Sequence, residues 1–236
     1  MRILITRPRA DAEPLAATLI AHGHDAIIEP MLDIRPVTGR PLNLDGVQAV
    51  LATSANGVRA LAGVSDERAM PIYAVGDATA RQALALDFTN IRSAAGDVRS
   101  LSTLVARDFD PRDGTLIHVA GSHLAGDLTS ELQRRKFTIR REVLYCARAA
   151  RRLSDHVRAA LSGGAIDAIM FFSPRSADIF VNLVVQAELG PACRGTAALC
   201  LSKAVADNVT SLPWARVAIA SEPTQASLLK LIGIGP

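Results

Sequence analysis

The sequence predicts an α/β protein of two similar, doubly wound, parallel-sheet lobes, the second inserted in the first and joined to it by a two-stranded hinge. Short apolar runs alternate with amphipathic stretches along the 236 residues, the rhythm of parallel strands and covering helices. One strand–turn–helix pattern is written twice, as VLATSANGVRAL over 50–61 and AIMFFSPRSADIF over 168–180. An opening strand–helix–strand unit also stops short at Pro36, so another part of the chain has to complete its sheet.

The elements follow in order. RILIT (2–6) reads as a short strand, and a helix is expected over 11–22, stopped by Gly23. A second strand covers 25–29, and a Pro-bracketed extended segment, 30–36, leaves the unit. The rhythm restarts with a strand over 47–52 and a helix over 56–64, where Val58, Leu61 and Val64 recur at helical spacing. A strand over 71–75, a helix opening at Gly76–Thr79, a short strand near Asn90 and a helix over 97–107 come next. The strand over 115–119 ends in Ala120-Gly121-Ser122, and a helix is expected from there to Arg135. The long alternating stretch 137–147 reads as a final strand and a second crossing. Beyond it the pattern gives a helix from 151 to 162, a strand over 167–172 and a helix over 175–187. A strand over 197–201, a helix over 202–211, a strand over 216–220 and a helix over 224–232 finish the chain.

The repeat extends past its first pair. IYAVGDATARQAL (72–84) aligns with ALCLSKAVADNV (198–209), and AGDVRSLSTLV (95–105) with ASEPTQASLLKLI (220–232), at co-linear offsets of about 119 to about 126 residues, which points to a duplicated lobe. The expected domains are 1–36 with 148–236, and an inserted lobe of 37–147, with the hinge near 32–37 and 143–148.

Composition narrows the function. Hydrophobic residues make up 49%, enough for real cores, and mean hydropathy is +0.22, yet no apolar run reaches the roughly 18 to 20 residues of a membrane span. The N-terminus, MRILITRPRA, is charged too early for a signal-peptide core, so a cytoplasmic protein is expected. Cys146, Cys193 and Cys200 lack CxxC spacing and read as reduced structural thiols. A net charge of +3 is too mild to argue for nucleic acid. Lys occurs only at Lys136, Lys203 and Lys230, so the cations are nearly all Arg, the better carboxylate ligand.

Most catalytic motifs are absent. GSHLAG (121–126) is neither a dinucleotide fingerprint nor a P-loop, and GxSxG does not occur. His118 and His123 flank one strand–helix turn without a third metal ligand, and the His residues show no obvious Ser or Cys partner. Metal, nucleotide and triad chemistry are all disfavoured. What remains is a set of hydroxyl-rich strand-to-helix turns: Thr6-Arg7, Thr53-Ser54-Ala55-Asn56, Gly76-Asp77-Ala78-Thr79, Gly121-Ser122, Ser173-Pro174-Arg175, Ser202 and Pro223-Thr224. Each alone reads as ordinary N-capping. Together, on the carboxyl edges of two facing sheets, they would line a cleft with N–H donors, hydroxyls and Arg, suited to a ligand with several carboxylates. Arg7, Arg59 and Arg175 are the cations their positions suggest. Tyr145, one of two tyrosines and placed in the expected hinge, reads either as junction packing or as a phenol that donates to a leaving group.

In order and spacing, VLATSANGVRAL, PIYAVGDATARQAL, FFSPRSADIF and SEPTQASLLKLI resemble the uroporphyrinogen-III synthase family, and the likeness runs from ILITRPRADAEPLAATL onward. The resemblance implies two α/β lobes with a two-stranded connector, the first lobe formed from both chain ends. It implies cyclisation of the linear tetrapyrrole hydroxymethylbilane, with loss of water and inversion of the last ring through a spiro intermediate, without a cofactor. That substrate carries eight carboxylates. By resemblance, Tyr145 matches the tyrosine that assists loss of the hydroxyl group. Thr53 and Ser54 match a hydroxyl pair, Ser173 its partner serine, and Gly76, Ala78 and Thr79 a turn against the ligand. Position adds Arg7, Asn56, Gly121, Ser122, Arg175, Ser202 and Thr224 as substrate contacts. One turn departs from the family pattern: Ser202-Lys203-Ala204-Val205 stands where a Gly-Pro-Thr-Thr type turn is usual, so a threonine hydroxyl is missing. A monomer is expected, with a transient hand-over from hydroxymethylbilane synthase. The alternatives are a non-enzymatic two-lobed binding module for an acidic small molecule and a nucleotide-dependent transferase.

Overall fold

A computed structural model of the chain describes residues 1–37, 42–122 and 127–235. In chain order its elements begin with β1 (Arg2–Ile5), α1 (Arg9–Ala21), β2 (Asp25–Ile28), β3 (Leu32–Pro36), β4 (Val47–Ala52), α2 (Ala55–Ala62) and β5 (Ile72–Ala74). There follow α3 (Asp77–Leu84), β6 (Ile91–Ser93), α4 (Val98–Asp108), β7 (Thr115–Gly121), α5 (Leu128–Arg134) and β8 (Thr138–Ala149). The rest comprises α6 (Asp155–Ser162), β9 (Ala168–Phe171), α7 (Pro174–Gln186), a 3-10 turn over Gly190–Gly195, β10 (Ala197–Cys200), α8 (Lys203–Ala206), β11 (Arg216–Ile219) and α9 (Gln225–Lys230).

The chain divides into two compact units, Met1–Asp33 with Arg148–Pro236, and Ile34–Ala147. The first holds a sheet ordered β11-β10-β9-β1-β2, every pairing parallel, in which N-terminal β1 lies beside β9. In the other sheet the order is β3-β8-β7-β4-β5-β6, with β8-β7-β4-β5-β6 parallel.

Both central sheets are buried on two faces, which is why their strands are continuous apolar runs. Alternation still sorts the side chains. Ile3, Ile5 and Met170 meet α1 and α9, while Leu4, Ile169 and Phe171 meet α6, α7 and α8. In the second unit Val50, Ala52 and Val119 meet α2, whereas Ala49, Leu51 and Leu116 meet α4 and α5. The doubly wound α/β class expected from the alternation is the one observed.

Several element ends differ from expectation. Helix α1 begins at Arg9, because the Pro8 carbonyl already accepts from the amides of Asp11 and Ala12. The helix expected over 202–211 is α-helical only through Ala206. Beyond it the Asn208 amide donates to the Ala204 carbonyl and the Thr210 hydroxyl to that of Asp207, side-chain bonds that compete with the ladder. Strand β7 runs on through Gly121, and α5 covers Leu128–Arg134. His118 therefore lies within a buried strand and does not flank a turn. His123 and the rest of GSHLAG beyond Ser122 lie outside the described residues. No helix among the described residues is long and apolar enough to cross a membrane.

Candidate active site

The carboxyl end of β4 is the best-furnished edge. Ser54 adopts the extended backbone of an N-cap, and its hydroxyl oxygen accepts from the Gly57 amide at 3.1 Å, which starts α2. A Cβ on Gly57 would lie 3.0 Å from the Val119 carbonyl oxygen, so glycine lets α2 settle onto β7. The same Ser54 hydroxyl lies 2.9 Å from the Tyr145 hydroxyl.

Tyr145 is positioned by β8 and by the end of β7. The register brings Gly121 opposite Tyr145 across an irregularity in the ladder, and the Ser122 amide donates to the Tyr145 carbonyl at 3.0 Å. A Cβ at position 121 would stand 2.7 Å from the tyrosine ring. Only glycine leaves room for that ring. The Arg141 guanidinium donates to the Gly121 carbonyl at 2.7 Å and fastens this corner. Tyr73, by contrast, is a packing tyrosine: its hydroxyl donates to Asp108 at 2.9 Å, and burial together with that carboxylate pushes it up to about 12.

Thr53 takes a different partner. In the parallel ladder Leu51 stands opposite His118, and Thr53 follows two residues on, on Leu51's face of the sheet. The His118 Nε2 lies 3.2 Å from the Thr53 hydroxyl. Burial, with the Arg141 charge adding to it, pushes this imidazole down to about 4, so it is neutral at physiological pH. Adjacent Thr53 and Ser54 thus engage partners on opposite faces of one sheet.

The other sequence-derived positions are more scattered. Asn56 accepts from Arg59, whose guanidinium also donates to Gln82. Gly76 caps α3 through its backbone, Ala78 is exposed, and Thr79 is buried. Ser122 is exposed beside Gly121. In the first unit Ser173, Ser202 and Thr224 all spend their hydroxyls as N-caps, on Ser176, Val205 and Ser227. Arg175 is half-buried in the first turn of α7. Arg7 donates to Gln225 and lies 4.5 Å over the Phe172 ring. Thr6 is buried, bonded to the Met170 carbonyl.

Sequence reasoning missed the His118–Thr53 pair, the Arg141 clasp and the need for glycine at 121. Each depends on how β7 lines up with β4 and β8. Among the described residues no group of three or more His, Cys, Asp or Glu is placed to hold a metal ion.

A family model described as uroporphyrinogen-III synthase HemD matches residues 13–230. The chain belongs to the uroporphyrinogen-III synthase family. Members are lyases of tetrapyrrole biosynthesis that cyclise hydroxymethylbilane, and the chain is an enzyme of that kind. Solved structures that share its fold include two named for this activity. The uroporphyrinogen-III synthetase from Helicobacter pylori is 14% identical with a TM-score of 0.65, over 98% of each chain. A mutant uroporphyrinogen III synthase from Thermus thermophilus is 18% identical with a TM-score of 0.54, over 98% of this chain and 97% of the other. Comparison with curated protein sequences finds no match. Nothing in these comparisons supports the binding-module alternative.

Proposed function

We propose that Tyr145 is the proton donor in this uroporphyrinogen-III synthase reaction and that the carboxyl-edge turns hold the substrate's carboxylates. The observation that carries the reading is the Ser54–Tyr145 hydroxyl pair at 2.9 Å. Ser54 already accepts from the Gly57 amide, so its own proton is available for the tyrosine oxygen. The proposal takes Ser54 as the donor in this pair, which leaves the phenol proton to point at a third group. On this reading the hydroxyl of hydroxymethylbilane takes that proton, its C–O bond breaks, and water leaves with the bonding electrons. The electrophilic azafulvenium so formed is attacked by the substituted α-carbon of the last ring. A spiro intermediate follows, and its fragmentation and reclosure invert the ring. A proton lost from the reclosed macrocycle returns to the phenolate, so the net change is loss of one water.

Closure without inversion competes, so positioning matters as much as acidity. The turns at Thr53, Ser54, Asn56, Gly76, Ala78, Thr79, Gly121 and Ser122 in one unit, and at Arg7, Ser173, Arg175, Ser202 and Thr224 in the other, are the proposed anchors. At Ser173, Ser202 and Thr224 backbone N–H groups would carry the contact, the hydroxyls being used as caps. The same proposal takes 32–37 and 143–148 as the connector and the chain as a cytoplasmic monomer that receives its unstable substrate from hydroxymethylbilane synthase.

The test couples the purified protein to freshly generated hydroxymethylbilane, oxidises the products and separates the porphyrin isomers. Type III above the protein-free type I background is expected from the wild type. Loss of turnover on the order of 10²-fold is expected from Tyr145→Phe, the usual worth of a general acid. A folded Tyr145→Phe protein with full activity would remove Tyr145 from this role.

A further inference from the structure

We propose that His118 is a positioning residue that sets the direction of the Thr53 hydrogen bond: protonated on Nε2, it donates to the Thr53 oxygen and leaves the threonine proton to be given to a substrate carboxylate.

Three observations carry this. His118 is 2% exposed, and its Nε2 lies 3.2 Å from the Thr53 hydroxyl. Its Nδ1 is buried and, among the described residues, has no hydrogen-bond partner. Thr53 is half-buried just before the N-cap of α2, at the carboxyl end of β4, and its hydroxyl meets the imidazole.

A neutral imidazole carries one N–H, and the two tautomers leave different groups stranded here. With the proton on Nδ1, a buried donor would have no acceptor, and Nε2 would draw the threonine proton inward. With the proton on Nε2, the stranded group is a bare lone pair, and the donor is satisfied. Orphaned buried N–H groups are the rarer case in folded proteins. The neutral state follows from burial and from the Arg141 charge, both of which disfavour a second proton.

The consequence is chemical polarity. A threonine hydroxyl offers one proton and two lone pairs and is indifferent to whether its ligand gives or takes. Once His118 donates to it, the threonine proton is free for the remaining ligand, which suits an anionic carboxylate. The inference rests on the proposed role of Thr53 as a substrate contact, and its test separates the two ideas.

Nitrogen-15 NMR of the free, histidine-labelled wild-type protein at neutral pH should show His118 with a protonated Nε2 and a bare Nδ1. Proton on Nδ1, or on both nitrogens, overturns the proposal with no reference to activity. In steady-state assays of type III product, His118→Met should raise KM about 3- to 10-fold, the worth of one hydrogen bond, with kcat within about twofold. Thr53→Val should do the same, and the double variant should add little to either. His118→Gln returns an N–H donor at the Nε2 position and should recover most of the loss. Additive effects, or a failure of Gln to recover KM in a folded protein, overturn the proposal. Wild-type protein that yields only type I product would sink the substrate contact at Thr53 and the proposal with it, even with the tautomer as expected.

Discussion

A serine that caps a helix has a proton to spare, and a tyrosine that accepts it has its own proton to give. That arithmetic underlies the proposed role of Tyr145, and it depends on the glycine across from it. Gly121→Ala would place a methyl group 2.7 Å from ring carbons of Tyr145. The ring has to move, so if Tyr145 acts as proposed, type III formation should fall at least about 10-fold, because misplacing a reacting group is costly. Far-UV circular dichroism should change little. His118 gives a prediction of a different kind. An unfolded histidine takes its proton near 6.5, whereas burial holds this one to about 4. Between those values the unfolded chain binds more protons than the native one, so the stability this neutral histidine contributes is complete above about 6.5 and is lost as pH falls toward about 4. Urea unfolding across that window should show a shallower loss for His118→Gln than for the wild type. Equal slopes would contradict the buried neutral state.

The helix starts at Ser54, Asp97, Ser154 and Ser173 are local chemistry, each side chain accepting from an amide a few residues ahead. Removing the Ser173 hydroxyl should cost about 1 kcal/mol of stability. Ser173→Ala should leave KM nearly unchanged, since its oxygen is already committed to Ser176. Thermal unfolding and the isomer assay, run on the same variant, check the two halves of that statement. Capping signals of this sort are legible in a sequence because everything needed lies within one turn. The α/β class is legible for a related reason: a strand stretch covered on both faces has to be apolar, as AVLA (49–52) and AIMF are. The early end of α8 is not legible, because Asn208 and Thr210 choose backbone carbonyls over solvent only once the turn has formed. Nor is the His118–Thr53 pair, which exists because Leu51 falls opposite His118 in the ladder. Tyr145 could be singled out by its rarity and by the family resemblance, but its serine partner lies ninety-one residues away in the chain.

Each unit has its own apolar clusters, two in the first and two in the second. The single tryptophan, Trp214, packs against Phe171 and Phe180 in the first unit, with its indole N–H on the Val209 carbonyl. Its fluorescence therefore reports one unit, whereas circular dichroism reports both. Urea titrations followed by the two probes should give separated midpoints, the mark of departure from two-state behaviour. Coincident curves would show that the units unfold as one. The pairing of β1 with β9 has a further consequence, for synthesis on the ribosome. Residues 34–147 form a unit that is contiguous in the chain. β1 has one flank on β2, but its other neighbour begins at Ala168. At roughly 5 to 20 residues per second, the nascent chain carries β1 with an open flank for roughly 10 to 30 s. For that interval Ile3, Leu4 and Ile5, all buried in the finished protein, are an exposed sticky edge. Until the last third arrives, β1 lacks the strand that closes its second flank in the native sheet.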